Sequence, residues 1–315
     1  MYYVGVDIGG TGIKVGIVTD GGEIIAKGSI STSVKDGYEV IVKEMAKLIE
    51  DTVSDAKITP DDVASIGIGC PGSIDDRKGE VIYSNNLEFK NVPLCAELKK
   101  YIDKPIYINN DANCAALGEF FALGDDTVED FVAITLGTGV GGGVIINKKL
   151  YTGFNSVAGE LGHMVIKVDG EQCTCGRKGC WEAYASATAL IREAEKAAMK
   201  NLGSLLTKRI AENGGKCNGK MVWDAKDEGD ETAQSVIDTY VKYVAEGIIN
   251  LVNIFQPSVV AIGGGASKQG DNLLLPVKKY MEGKTYGGSL VKSAEIVTAK
   301  LGNDAGIIGA AFLGK

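Results

Sequence analysis

Residues 2–18 read YYVGVDIGGTGIKVGIV, and residues 131–146 read FVAITLGTGVGGGVII. In each stretch an apolar run is broken by a cluster of glycines and then resumes, the pattern of two strands joined by a glycine-rich hairpin tip. Such a tip can present backbone N–H groups to phosphate oxygens, with Thr11 and Thr138 adding hydroxyls. Taken singly, either tip reads better as a tight turn. Neither carries the Gly-Lys-Ser/Thr of a Walker A loop, and neither opens a helix as a Rossmann fingerprint does, which removes two common nucleotide-binding classes. The same hairpin in both halves predicts an internal duplication, with two related lobes around a cleft.

The flanking segments set the class. Ile41, Met45, Leu48 and Ile49 fall on one helical face. Residues 66–70 read as a strand ending at Pro71-Gly72, and residues 106–108 as another ending at Asn109-Asn110-Asp111. A helical stretch over 232–255 is stopped by Pro257, and a strand over 259–262 runs into Gly263-Gly264-Gly265. Asp304 is the expected N-cap of a closing helix through Leu313. Strands alternate with helices, so the fold class is α/β. Residues 201–230 are polar and show no clear periodicity.

A net charge of −8 on 315 residues argues against an electrostatic grip on nucleic acid or on an anionic membrane. The chain starts almost at once with a strand, which predicts no export signal and a cytoplasmic location, and its apolar runs fall short of a membrane span. Seven cysteines do not resemble a secreted disulfide framework, since three of them crowd between 173 and 180. Cys173, Cys175 and Cys180, with His163, the single histidine, offer three thiolates and one imidazole, the donor set of tetrahedral Zn²⁺. Four protein ligands leave no open position for water, so the expected site is structural. Asp7, at the end of the first strand, is placed to hold Mg²⁺, and Asp111 to project into a cleft; both could equally serve as turn or capping residues.

These residues together resemble the bacterial glucokinases of the ROK family, within the actin-like ATPase superfamily. Residues 7–14, DIGGTGIK, are similar to the family's first phosphate motif, and residues 136–142, LGTGVGG, to its second. Gly263-Gly264-Gly265 is similar to the segment beside the adenosine. Residues 173–182, CTCGRKGCWE, fit the CxCGxxGCxE signature at every fixed position and follow Glu160-Leu161-Gly162-His163.

The resemblance implies ATP-dependent phosphorylation of the 6-hydroxyl of glucose, with Asp111 as the general base. Gly72, Asn85, Asn86, Asn110, Glu160, His163 and Glu182 would contact the sugar, His163 doing so while it ligates zinc. Asp7, Gly9, Gly10, Thr11, Lys14, Gly137, Thr138, Gly139 and Gly263 to Gly265 would hold Mg-ATP. The implied fold is a two-lobed, ribonuclease H-like one with duplicated βββαβα-type domains. Its small lobe would comprise residues 1–112 and 302–315, its large lobe 113–301, and the protein would be a homodimer. Fructose, mannose, N-acetylmannosamine and N-acetylglucosamine are the alternative substrates. A ROK sugar-responsive repressor is the alternative from another class, disfavoured by the acidic charge and by a first hairpin that begins at Tyr2.

Overall fold

The computed structural model describes residues 1–32 and 34–315. The chain divides into two compact units, one made of Met1–Ala133, Gly142–Gly159 and Lys300–Lys315, the other of Ile134–Gly141 and Glu160–Ala299.

In the first unit, β1 (Tyr2–Ile8) and β2 (Gly12–Thr19) form the expected antiparallel hairpin, in register from Tyr2 opposite Thr19 to Ile8 opposite Ile13. β3 (Ile24–Ser31) continues the meander along β2. After helix α1 (Tyr38–Asp55), β4 (Val63–Cys70) pairs parallel to β1. A small antiparallel sheet of β5 (Ser73–Asp75), β6 (Glu80–Ser84) and β7 (Phe89–Val92) follows, then α2 (Leu94–Lys99). β8 (Ile106–Asn110) pairs parallel to β4 and runs directly into α3 (Asp111–Leu123). The main sheet has the order β3-β2-β1-β4-β8.

Alternation along β1 sends Val4, Val6 and Ile8 to the face covered by α1, where Ile41, Met45, Leu48 and Ile49 are all buried. Tyr3 points the other way and packs with Leu117 of α3 and with Ile307, Ile308, Ala311 and Phe312 near the C-terminus.

The second five-stranded sheet contains β9 (Phe131–Leu136), β10 (Val140–Ile146), β11 (Lys149–Leu150), β12 (Val259–Gly263) and β13 (Glu295–Thr298). Its order, β11-β10-β9-β12-β13, repeats that of the first sheet strand for strand, so the duplication seen in the hairpins extends to the topology. The helices of the second unit are α4 (Glu182–Ala185), α5 (Ala187–Lys200), α6 (Leu205–Glu212), α7 (Gly219–Asp227), α8 (Glu231–Phe255) and α9 (Asp271–Met281). The aperiodic stretch 201–230 resolves into α6 and α7, each started by a side-chain cap: Ser204 accepts from the Thr207 N–H at 3.1 Å and Asn218 from that of Met221 at 3.0 Å. No helix among the described residues is long and apolar enough to cross a membrane.

The last helix, α10 (Ala305–Ala311), belongs to the first unit and lies flush on its main sheet. A Cβ added at Gly5 would sit 1.9 Å from the Ile307 carbonyl oxygen, and one at Gly67 only 1.7 Å from that of Ala310. Only glycine permits so close an approach. Asp304 does not cap this helix as its position in the sequence suggests. It makes no capping hydrogen bond, and its two oxygens instead accept from Lys27 Nζ at 2.6 and 2.7 Å. A full charge partner on β3 outcompetes the local backbone donor.

Candidate active site and metal centre

The carboxylate and amide residues of the first unit are set by one helix start. Asn110 ends β8 in extended conformation and caps α3: its Oδ1 accepts from the N–H groups of Ala112 at 2.9 Å and Asn113 at 3.3 Å. Its Nδ2 donates to the Gly72 carbonyl at 3.2 Å. Gly72 has a φ of 115°, and a Cβ there would lie 2.2 Å from the Tyr83 carbonyl oxygen, so this turn admits glycine alone. Asp111 is the first residue of α3, half-buried, and its Oδ1 accepts from the Ala112 N–H at 2.9 Å. The positive end of a helix favours its ionised form.

Asn85 and Asn86 follow β6 and are exposed. Asn85 accepts from the Tyr83 hydroxyl at 3.3 Å, whereas Asn86 lies against the first glycine tip, its Cβ 3.3 Å from where Gly10 would carry one. The tip is closed by the Gly9 N–H on the Gly12 carbonyl at 2.8 Å and by the Thr32 hydroxyl on the Gly9 carbonyl at 2.8 Å. Thr11 stands exposed. Asp7, half-buried at the end of β1, faces Lys14 Nζ at 3.7 Å. Burial pushes its carboxyl above the usual carboxylate range, and Lys14 only partly offsets this.

In the second unit, the tip at Gly137, Thr138 and Gly139 is fastened to the start of α5. The Ala187 N–H donates to the Gly137 carbonyl and the Thr188 hydroxyl to the Thr138 carbonyl, both at 2.8 Å. Glu182 joins this tip to the cysteine loop. Its Oε2 accepts from the Val140 N–H at 3.0 Å and its Oε1 from the Thr174 hydroxyl at 3.2 Å. Gly263 ends β12 and Gly264 and Gly265 follow it; a Cβ at Gly264 would come within 2.6 Å of the Leu136 backbone at the end of β9.

His163, Cys173, Cys175 and Cys180 converge, with all four donor atoms within 4.8 Å of one another. His163 Nδ1 is 3.6 Å from Cys173 Sγ, and Cys175 Sγ is 3.6 Å from Cys180 Sγ. Tetrahedral zinc with Zn–S of about 2.3 Å and Zn–N of about 2.0 Å requires S···S near 3.8 Å and S···N near 3.5 Å, roughly these separations. Burial, then the neighbouring thiols, push Cys180 up to about 12, whereas the Arg177 backbone N–H lowers Cys175; a dication would stabilise the Cys180 thiolate. With Nδ1 turned to the thiols, His163 Nε2 is left facing Glu160, 4.0 Å from its Oε2. The loop is anchored beyond Cys180 by Trp181, fully buried, whose Nε1 donates to the Tyr243 carbonyl at 2.7 Å.

Thus Asp7, Lys14 and Asn86 gather at the first tip, Gly72, Asn110 and Asp111 at the start of α3, and Glu160, His163, Glu182 and the cysteines around the second tip. Sequence reasoning assigned no role to Asp76, Ser156 and Thr188, which lie outside the motifs, nor to Asn109 and Thr174, which occupy unassigned positions within quoted stretches.

Over residues 3–315 the chain matches the family model described as ROK family. It is 39% identical to a glucokinase of Halalkalibacterium halodurans, covering 100% of this chain and 95% of that protein. It is also 39% identical to a glucokinase of Thermotoga maritima, covering 98% and 96%. Among solved structures, a ROK family glucokinase from Streptomyces griseus in complex with glucose and AMPPNP superposes with a TM-score of 0.81 at 34% identity, over 99% of both chains. With family match, relatives and fold in agreement over its full length, the chain belongs to the ROK family.

Proposed function

We propose that this protein is an ATP-dependent glucokinase, transferring the γ-phosphoryl group to the 6-hydroxyl of glucose, and that it works in the cytoplasm as a homodimer. The likeness over the whole chain to proteins named glucokinase, one of them solved with glucose and AMPPNP, carries the reading. Asp111 accepts the proton of the 6-hydroxyl as the oxygen attacks, and its place at the start of α3 suits a carboxylate that is anionic before the reaction. Asn110 and Gly72 frame the sugar beside it. Glu160, His163 Nε2 and Glu182 take the remaining hydroxyls. The two glycine tips cradle the phosphates with backbone N–H groups, with Thr11 and Thr138 adding hydroxyls, and Gly263 to Gly265 leave room for the nucleoside.

Asp7 suits Mg²⁺ because its carboxyl already bears a desolvation cost that a cation would relieve. Zinc, held by His163, Cys173, Cys175 and Cys180, would supply a rigid cross-link with no part in bond making. Its ligand His163 is thereby fixed with Nε2 free to read a hydroxyl, a polar recognition that penalises sugars leaving it unpaired.

A coupled ATP-consumption assay across glucose, mannose, fructose, N-acetylglucosamine and N-acetylmannosamine tests the reading. Glucose should give the highest kcat/KM; a higher value for another sugar, or ADP formation independent of sugar, would sink it. Asp111→Asn should lower kcat by about 10²–10⁴-fold while KM for glucose stays within a few-fold.

A further inference from the structure

A chain of hydrogen-bonded polar groups behind the β8–α3 turn takes no part in the scheme above. Asn109 is 4% exposed, and its Oδ1 accepts from two donors, the Asn110 N–H and Asn113 Nδ2, each at 2.9 Å. That fixes which way its amide faces: the Nδ2 points to Asp76 Oδ2, 3.4 Å away. The other oxygen of Asp76 accepts the hydroxyl of Ser156. Ser156 is buried and held at a left-handed φ of 63°, uncommon for a residue other than glycine. It lies in the segment that ends at Gly159 and leads to Glu160. Arg77, next to Asp76, reaches the same segment at the Gly153 carbonyl, 3.5 Å away.

Asp76 therefore accepts on both oxygens, from one donor behind the base-bearing turn and another in the segment leading to a sugar residue. We propose that Asp76 is a positioning residue for phosphoryl transfer: through Asn109 it sets the turn that aims Asp111, and through Ser156 it fixes the approach to Glu160. The proposal rests on Asp111 being the base.

The polarity of the chain gives a decisive exchange. Asn109→Asp would set two carboxylates against each other across 3.4 Å, so kcat should fall at pH 7.5 and recover as the pH is lowered and one of them takes a proton. The double variant D76N/N109D reverses donor and acceptor: Asn at 76 donates to Asp at 109 and still accepts from Ser156, so kcat should return toward the wild-type value at pH 7.5. Asp76→Ala should lower kcat by about 10–100-fold with a smaller change in KM, as misplacing a catalytic group does. Wild-type kcat for N109D across pH, or a folded double variant no faster than N109D, overturns the proposal. Should N109D not fold, Asp76→Ala and Ser156→Ala decide: kcat unchanged in both overturns it, and a fall in both upholds it. Asp111→Asn separates the two levels. If it keeps its turnover, the base reading fails; if it is inactive while Asp76→Ala turns over normally, only the positioning role fails.

Discussion

Glu182 joins the second glycine tip to the cysteine loop, and its hydrogen bonds can be separated from its charge. In Glu182→Ala the Val140 N–H, on a residue only 6% exposed, loses its acceptor at 3.0 Å. Leaving such a donor unpaired costs about 1–3 kcal/mol. Thr174 is exposed and finds water in place of the carboxylate, adding about 0.5–1 kcal/mol for the lost charge-assisted bond. The sum, about 1.5–4 kcal/mol, lowers the melting temperature by about 4.5–12 °C at about 3 °C per kcal/mol for a unit of this length. Glu182→Gln behaves differently. Its carbonyl still accepts from Val140, and its amide donates to the Thr174 hydroxyl oxygen, so only the charge is lost, about 1 kcal/mol or 3 °C. Differential scanning calorimetry at one scan rate, with glucose KM measured alongside, resolves the two roles. The Ala variant should melt well below the Gln variant, while both raise KM. Equal melting of both variants would refute the bridge, and an unchanged KM in both would remove Glu182 from the sugar site.

Cys175→Ser removes the exposed ligand of the four, so purified protein should hold well under one zinc per chain by elemental analysis, and its melting should become insensitive to chelators that destabilise the wild type. Wild-type protein without zinc would end that reading. Asp7 has a folded-state pKa raised above its ordinary 3.8, so the folded state binds more protons than the unfolded one between 3.8 and that raised value. Its contribution to stability therefore falls as pH rises through this window and is unfavourable at neutral pH. Asp7→Asn should raise the melting temperature of the ligand-free protein at pH 7, flatten this part of the pH dependence, and lower kcat; a variant that melts below the wild type contradicts the sign.

The parts legible from sequence are those with a local signature. Glycines interrupting β-branched runs announce both hairpins, the spacing of Ile41, Met45, Leu48 and Ile49 announces α1, and the four candidate metal donors lie close together in sequence between residues 163 and 180. Helices α6 and α7 escaped because each is short, leaving too few turns for a periodicity, and their starts rest on single capping side chains. Asp304 was misread because a capping preference is a weak local energy beside an ion pair with Lys27, distant in sequence. Asp76, Asn109 and Ser156 are likewise joined only by the fold. Nothing in the residues around any one of them hints at the other two.

The flush seat of α10 on glycines 5 and 67 also has a bearing on how the protein is made. The ribosome delivers β1, β2 and β4 early, but α10, which covers Tyr3 and Val18 on their second face beside Leu117 of α3, follows only after the second unit. At 5–20 residues per second, that cover is missing for about 15–60 s of synthesis. The first sheet to be made therefore cannot be completed before the whole of the second unit has been synthesised.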